Sequence, residues 1–375
     1  AADQDLSAAL QAFEAAGDRR GEAWALQNLA SIAFFRGDAD RADDRVERSA
    51  AVFTDLGDYG GLNWCRSIQA WVRFMQGRQT EAEELAREQL AETAATGNRW
   101  LAAILTLLLA NLQLWRGESE RAIAFGRDAL ERFEATSDPW GQMQARASLV
   151  RSLACRGRVG DALDLLEGDG DPHRPTYDVL VRAQLLIHLG DRDALPAALH
   201  VGFPEGAGAE MIATGRLALG FALLQAGRVT EAVAELEAAQ AVRIGAHKGS
   251  AVAVTAGLSL AYATAGRLDE ARSLADADVE GTYLDQLQLG LGGAFARLRA
   301  GDPDAGAAFD DVVAASDATE ARLDQAITRL ARAHAWRALA HPEAETAMVD
   351  ARSRLDALGI AAPGWSRAFE LAAGA

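Results

Sequence analysis

Residues 21–57 read GEAWALQNLASIAFFRGDADRADDRVERSAAVFTDLG, one amphipathic helix, a glycine turn, a second helix and another glycine. A shift of 40 residues finds the same punctuation: Gly37, Gly77, Gly117 and Gly157 mark one turn, and Gly17, Gly57, Gly97 and Ser137 mark the other. A fixed period of this size is the signature of a stacked repeat. The turn inside each repeat is built alike, as Arg36-Gly37-Asp38, Gln76-Gly77-Arg78, Arg116-Gly117-Glu118 and Arg156-Gly157-Arg158. Glycine supplies the left-handed residue that ends a helix, and a basic residue before it suits the negative helix end. Five residues after each glycine stands Ala42, Ala82, Ala122 or Ala162, small enough to let two helix backbones approach. The expected fold is therefore all-α, a right-handed superhelical solenoid of about nine stacked antiparallel helix pairs.

Working outward, first helices are predicted near 22–36, 61–76 and 100–116, with second helices near 39–55, 79–95 and 119–135 and a fourth pair at 139–156 and 159–167. Upstream, 1–16 matches the second helices and lacks a first helix, so the chain is expected to be a fragment of a larger multidomain protein. Gly168-Asp169-Gly170-Asp171-Pro172 cannot continue a helix, and 168–174 is expected to be a loop or hinge. It separates the regular repeats of 1–167 from looser ones in 175–375, where Gly190, Gly227, Gly266 and Gly301 continue the series. Pairs are predicted there at 175–189 and 191–200, 208–226 and 229–244, 249–265 and 268–277, 282–300 and 304–315, and 319–339 and 343–357, with a C-terminal cap in 358–375.

Half the residues are hydrophobic, prolines number 8, and the formal net charge is -17 with a single lysine, Lys248. Such a chain folds, and its acidic surface repels phosphate backbones and anionic membranes. Direct nucleic acid and membrane partners are not expected. The apolar run Trp100 to Trp115 is shorter than the ~20 residues that span a bilayer. Cys65 and Cys155 are too far apart in a nearest-neighbour array for a disulfide, and a reducing cytoplasm is the simplest setting.

With these residues in view the chain resembles the tetratricopeptide repeat superfamily. Leu219-Gly220, Leu223, Gly227-Arg228, Glu231-Ala232 and Ala239 carry the likeness most openly. The repeat of about 40 residues, without a proline at its end, is similar to the C-terminal repeat region of MalT-like STAND regulators, large signal-transduction ATPases of bacteria, actinobacterial ones included. That resemblance implies a sensor or autoinhibitory arm touching an upstream ATPase or cyclase domain, and a concave groove lined by the first helices.

No chemistry competes with this reading. Lys248 lacks the upstream glycines of a phosphate loop, and Gly290, Gly292 and Gly293 lie inside a helical pattern with no preceding strand, so helix packing explains them. Asp169 and Asp171 suggest calcium, yet Leu180 stands where the loop needs its last acid. The six histidines do not pair at metal-ligand spacing with each other or with the cysteines, and no nucleophile sits in a known motif. No enzyme, metal or cofactor is expected. Residues at i, i+3, i+7 and i+10 share a helix face, which groups Trp24, Gln27, Ser31 and Phe34, then Trp64, Ser67, Trp71 and Phe74, then Leu107 and Asn111 of the third repeat. Such a face suits a protein or peptide segment, or a small-molecule effector. Aromatic residues recurring at helical spacing are more often inter-repeat core than a binding surface. Three readings stand: a non-enzymatic sensor or scaffold, an autoinhibitory or oligomerisation module without a free ligand, and a hydrolase concealed in 168–300.

Overall fold

The computed structural model describes residues 2–167, 176–202, 208–242 and 248–374. The expected loop at 168–174, with Asp169, Asp171 and His173, and also His247, lie outside the described residues. Among those described there are 20 helices and no strand. A lone α1 (Ala2–Ala16) is followed by the pairs α2 (Arg19–Phe35) and α3 (Ala39–Asp55), α4 (Tyr59–Met75) and α5 (Gln79–Thr96), α6 (Arg99–Trp115) and α7 (Ser119–Ala135), and α8 (Pro139–Arg156) and α9 (Val159–Glu167). Then come α10 (Thr176–Leu189) and α11 (Ala194–Leu199), α12 (Ala209–Gln225) and α13 (Val229–Ala241), α14 (Lys248–Ala265) and α15 (Leu268–Ala275), α16 (Tyr283–Arg299) and α17 (Ala305–Asp317), and α18 (Arg322–Ala338) and α19 (Ala344–Ala357). A short α20 (Pro363–Ala372) ends the series, and no described helix is long and apolar enough to cross a membrane.

The punctuation residues do what the period requires. Gly37, Gly77, Gly117 and Gly157 have φ of 80°, 80°, 76° and 86°, and Ser137, which stands where the other turns have Gly17, Gly57 and Gly97, is itself left-handed at φ 52°. The next residue often starts the following helix: the carboxylates of Asp18, Asp38, Asp58 and Asp138 accept from the backbone N–H of Gly21, Arg41, Gly61 and Gly141. This cap explains why α2 begins at Arg19, three residues before its predicted start.

Packing divides the chain into two compact units. Among the described residues, the first comprises 2–112, 125–145 and 248–249. Its recurring joint is an aromatic ring set against a glycine. A Cβ placed on Gly21, Gly61 or Gly141 would lie 2.4 Å, 2.4 Å or 2.1 Å from the ring of Phe13, Phe53 or Phe133. Phe53 and Phe133 are wholly buried, so each ring locks the second helix of one repeat to the first helix of the next. At the one place in this run where the glycine is missing, the ring is missing too. Leu101 stands in the glycine position and Thr93 in the phenylalanine position, both 5% exposed, a large-small pair exchanged for a small-large one.

Among the described residues, the second unit comprises 113–124, 146–167, 176–202, 208–242 and 250–374. Here the last repeats return to the turn glycines of the earlier ones. Thr319 Cβ would be 2.8 Å from a Cβ on Gly117, Leu358 Cδ2 2.6 Å from one on Gly157, and Trp365 Cδ1 2.6 Å from one on Gly190. Backbone bonds seal the contact: Glu320 N–H donates to Gly117 O at 3.0 Å and Gly364 N–H to Gly190 O at 2.9 Å. Within α16, Gly290, Gly292 and Gly293 face Val312, Ser259 and Ala275 at distances that admit no side chain, with Ser259 Oγ 2.2 Å from a Cβ on Gly292. Close helix packing is their role.

Candidate functional site

The aromatic face predicted for the first helices is built in the first unit by α2, α4 and α6. Trp24 is the most open of its members, 39% exposed, and sets its ring edge-on to Phe53 at 5.1 Å. Gln27 is buried, with its amide nitrogen 3.4 Å from Ser31 Oγ. Phe34 and Trp71 meet edge to face at 6.1 Å, and Trp71 meets Phe74 at 5.9 Å. Trp64 stacks flat on Trp100, 5.2 Å away with an interplanar angle of 8°. Ser67 is buried and donates to Asn63 O. Leu107 is buried in the cluster of Ala103, Ala129, Phe133 and Ala145, against which Trp71 also packs, and Asn111 is half-buried.

The ten residues thus divide. Gln27, Ser67, Phe74 and Leu107 are buried. Trp24 is exposed, and Ser31, Phe34, Trp64, Trp71 and Asn111 keep part of their surface. One feature of this face was not readable from residue type: the indole Nε1 groups of Trp64 and Trp71 are buried and have no hydrogen-bond acceptor among the described residues. Trp100, by contrast, donates its Nε1–H to Asp138 Oδ2 at 2.7 Å. A buried donor without an acceptor costs about 1–3 kcal/mol, so two of them seven residues apart on one face of α4 are an unusual expense for packing alone. In the second unit, Phe221 and His334 are buried, the first against Trp365 and the second with Nε2 3.0 Å from Ser366 Oγ.

The second unit also gathers polar groups that no local spacing announced. Cys155 of α8, His188 of α10, Tyr283 of α16 and Asp324 of α18 converge. His188 Nε2 is 2.7 Å from Asp324 Oδ1, the Tyr283 hydroxyl donates to Asp324 Oδ2 at 2.8 Å, and the same hydroxyl lies 3.1 Å from Cys155 Sγ. The sulfur, the imidazole and the carboxylate place one ligand atom each within 4.8 Å of one another. No local spacing signals this grouping, because its members stand 33 and 136 positions apart along the chain, at 155, 188 and 324. Burial and the nearby Asp324 charge drive the Cys155 thiol far above the ordinary range. Burial also lowers His188, but the charge and hydrogen bond of Asp324 outweigh it and the net shift is upward. A protonated, buried thiol is no nucleophile, and the adjoining cavity, about 20 Å³ and lined by His188, Asp324, Leu260, Leu291 and Trp365, admits one water-sized group and no organic substrate.

The family model for the tetratricopeptide repeat matches residues 63–88, 143–167, 213–238 and 252–277, which correspond to parts of four helix pairs. No curated protein matches the sequence. Among solved structures, the chain is similar to a Rap protein complexed with Competence and Sporulation Factor, at a TM-score of 0.59 and 15% identity over 90% of this chain and 99% of that one. The apo form of the quorum sensor NprR from B. thuringiensis aligns over 94% of this chain and 99% of its own, with 11% identity and a TM-score of 0.40. The first of these likenesses, with the helix pairs themselves, establishes a tetratricopeptide-like solenoid.

Proposed function

We propose that the chain is a non-enzymatic sensor or scaffold that captures an extended segment of a protein or peptide on the α2, α4 and α6 face of its first unit. The observation that carries this reading is the pair of acceptorless indole donors, Trp64 and Trp71, on a face that also offers the open ring of Trp24. An extended peptide presents backbone carbonyls at short intervals, and small side-chain rotations of the half-buried tryptophans would aim both N–H groups at them. The net charge of -17 favours segments poor in acidic residues. A Rap protein of the same fold was crystallised with a bound factor, which supports reading this solenoid as a binder. The repeat length supports the finer reading, the sensor region of a larger bacterial signalling or transcription regulator of the STAND ATPase type, acting in the cytoplasm.

The test is to pan the full chain against a random-sequence peptide library and to titrate the selected peptides into wild type, Trp64→Phe, Trp71→Phe and the double variant. Phenylalanine keeps an aromatic ring and removes the donor. Affinity should fall by roughly three- to tenfold per donor removed. Equal affinity for all four proteins would sink the reading. One observation favours the alternative of a structural autoinhibitory or oligomerisation module for the second unit: its turn glycines Gly117, Gly157 and Gly190 are already covered by Thr319, Leu358 and Trp365 of its own C-terminal residues.

A further inference from the structure

We infer that Cys155 Sγ, His188 Nε2 and Asp324 Oδ1 are the protein ligands of a single divalent transition-metal ion of the zinc class, with one water completing the coordination. The donor set comes first. One thiolate, one imidazole and one carboxylate oxygen suit the tetrahedral, borderline-soft preference of Zn²⁺ or Co²⁺ and do not suit Mg²⁺ or Ca²⁺, which take oxygen ligands. Three side chains from α8, α10 and α18 already place their ligand atoms within 4.8 Å of one another. Ligands of one tetrahedral ion sit roughly 3.3–3.8 Å apart given bonds of about 2.0–2.3 Å, so the 2.7 Å contact of His188 with Asp324 opens by roughly 0.6 Å when the ion replaces the proton between them.

The surroundings complete the case. Asp324 is held for monodentate ligation, because its Oδ2 is taken by the Tyr283 hydroxyl at 2.8 Å. That is the outer shell which fixes a ligating carboxylate in known metal sites. The 20 Å³ cavity bordered by His188 and Asp324 has room for the water. His188, with 15% of its side chain exposed, gives the ion a way in. A thiolate, a neutral imidazole, a carboxylate and a 2+ ion sum to zero, so the loaded site buries no net charge.

The test uses the full chain, reduced, stripped with a chelator and titrated with Co²⁺. The expected result is saturation at one equivalent, with a thiolate-to-cobalt charge-transfer band and the strong visible bands of a four-coordinate ion, both abolished by Zn²⁺. Cys65→Ser, which removes the other cysteine, should leave the spectrum unchanged. Cys155→Ser should lose the charge-transfer band, and His188→Gln should weaken Co²⁺ at least tenfold, with circular dichroism reporting whether each variant is folded. Wild type decides the matter even if a variant unfolds: no saturable binding, or binding without a thiolate band, leaves the four residues as a hydrogen-bonded network only and overturns the site. A band that survives in Cys155→Ser or disappears in Cys65→Ser overturns it as well.

Discussion

Two buried ionisable residues of the second unit make opposite demands on pH. Asp285, at the start of α16, accepts from the Thr282 N–H while its own N–H donates to Thr282 Oγ1, and burial pushes its carboxyl up to about 6. Its folded value lies above the ordinary 3.8, so its contribution to stability is fully present below pH 3.8 and is lost as pH rises through about 6. His334 is the reverse case. Burial, reinforced by Arg337, lowers it to about 4 from 6.5, so its contribution is present above pH 6.5 and is lost as pH falls through about 4. Each shift corresponds to roughly 3 kcal/mol, and between pH 4 and 6 the two slopes oppose each other. Asp285→Asn, which can still accept the cap bond, should therefore expose a loss of stability on acidification relative to wild type. His334→Gln should expose a gain. Urea unfolding midpoints measured at pH 4, 5, 6 and 7 would decide, and parallel profiles for all three proteins would refute the assignment.

At the scale of the element, the joint between repeats is a paired choice of residue sizes. Phe53 against Gly61 and Phe133 against Gly141 use a large ring on the second helix and nothing on the first, while at the matching positions Thr93 and Leu101, both buried, have the sizes exchanged. The helices and turns were legible because a left-handed residue must recur at each reversal, and Gly37, Gly77, Gly117 and Gly157 supply it at constant spacing. The ring-glycine joint was harder to read, since Gly61 in sequence looks like any flexible residue near a helix start, and only a contact across 8 positions to Phe53 gives it meaning. Gly61→Leu alone drives a side chain into the Phe53 ring and should cost at least the 1–3 kcal/mol of an overpacked core. Phe53→Thr alone leaves a cavity and should cost about 3 kcal/mol or more. Combining the two recreates the arrangement that the chain already uses at Thr93 and Leu101. The double variant should recover at least half of the summed loss in a thermal or urea unfolding cycle, and simple additivity would show that the exchanged pair is not a unit.

In the whole molecule, the feature that sequence could not reveal is the return of the C-terminal repeats within the second unit. An array read as nearest neighbours predicts that each repeat feels only the next. Trp365 reaches further back than that. It is 4% exposed, stacks on Phe369 at 5.5 Å, meets Phe221 at 6.0 Å and donates its indole N–H to the carbonyl of His188 at 3.0 Å. Because Gln225 also donates to Ile187 O, the end of α10 is held by α12 and α20 together, and the contact lies 177 residues from Trp365 in sequence. Trp365→Ala should cost about 3–5 kcal/mol, and the loss should not stay local. Hydrogen exchange should accelerate in α10 and α12 as well as in α18 and α20, since the contact between them opens as one cooperative event. Trp336→Ala provides the control: that ring stacks on His341 at 4.2 Å within its own repeat, so its removal should speed exchange in α18 and α19 and leave α10 protected. If Trp365→Ala changes exchange only in its sequence neighbours, the second unit behaves as an open array and the backbone contacts of Gly364 with Gly190 and of Glu320 with Gly117 do not couple its ends.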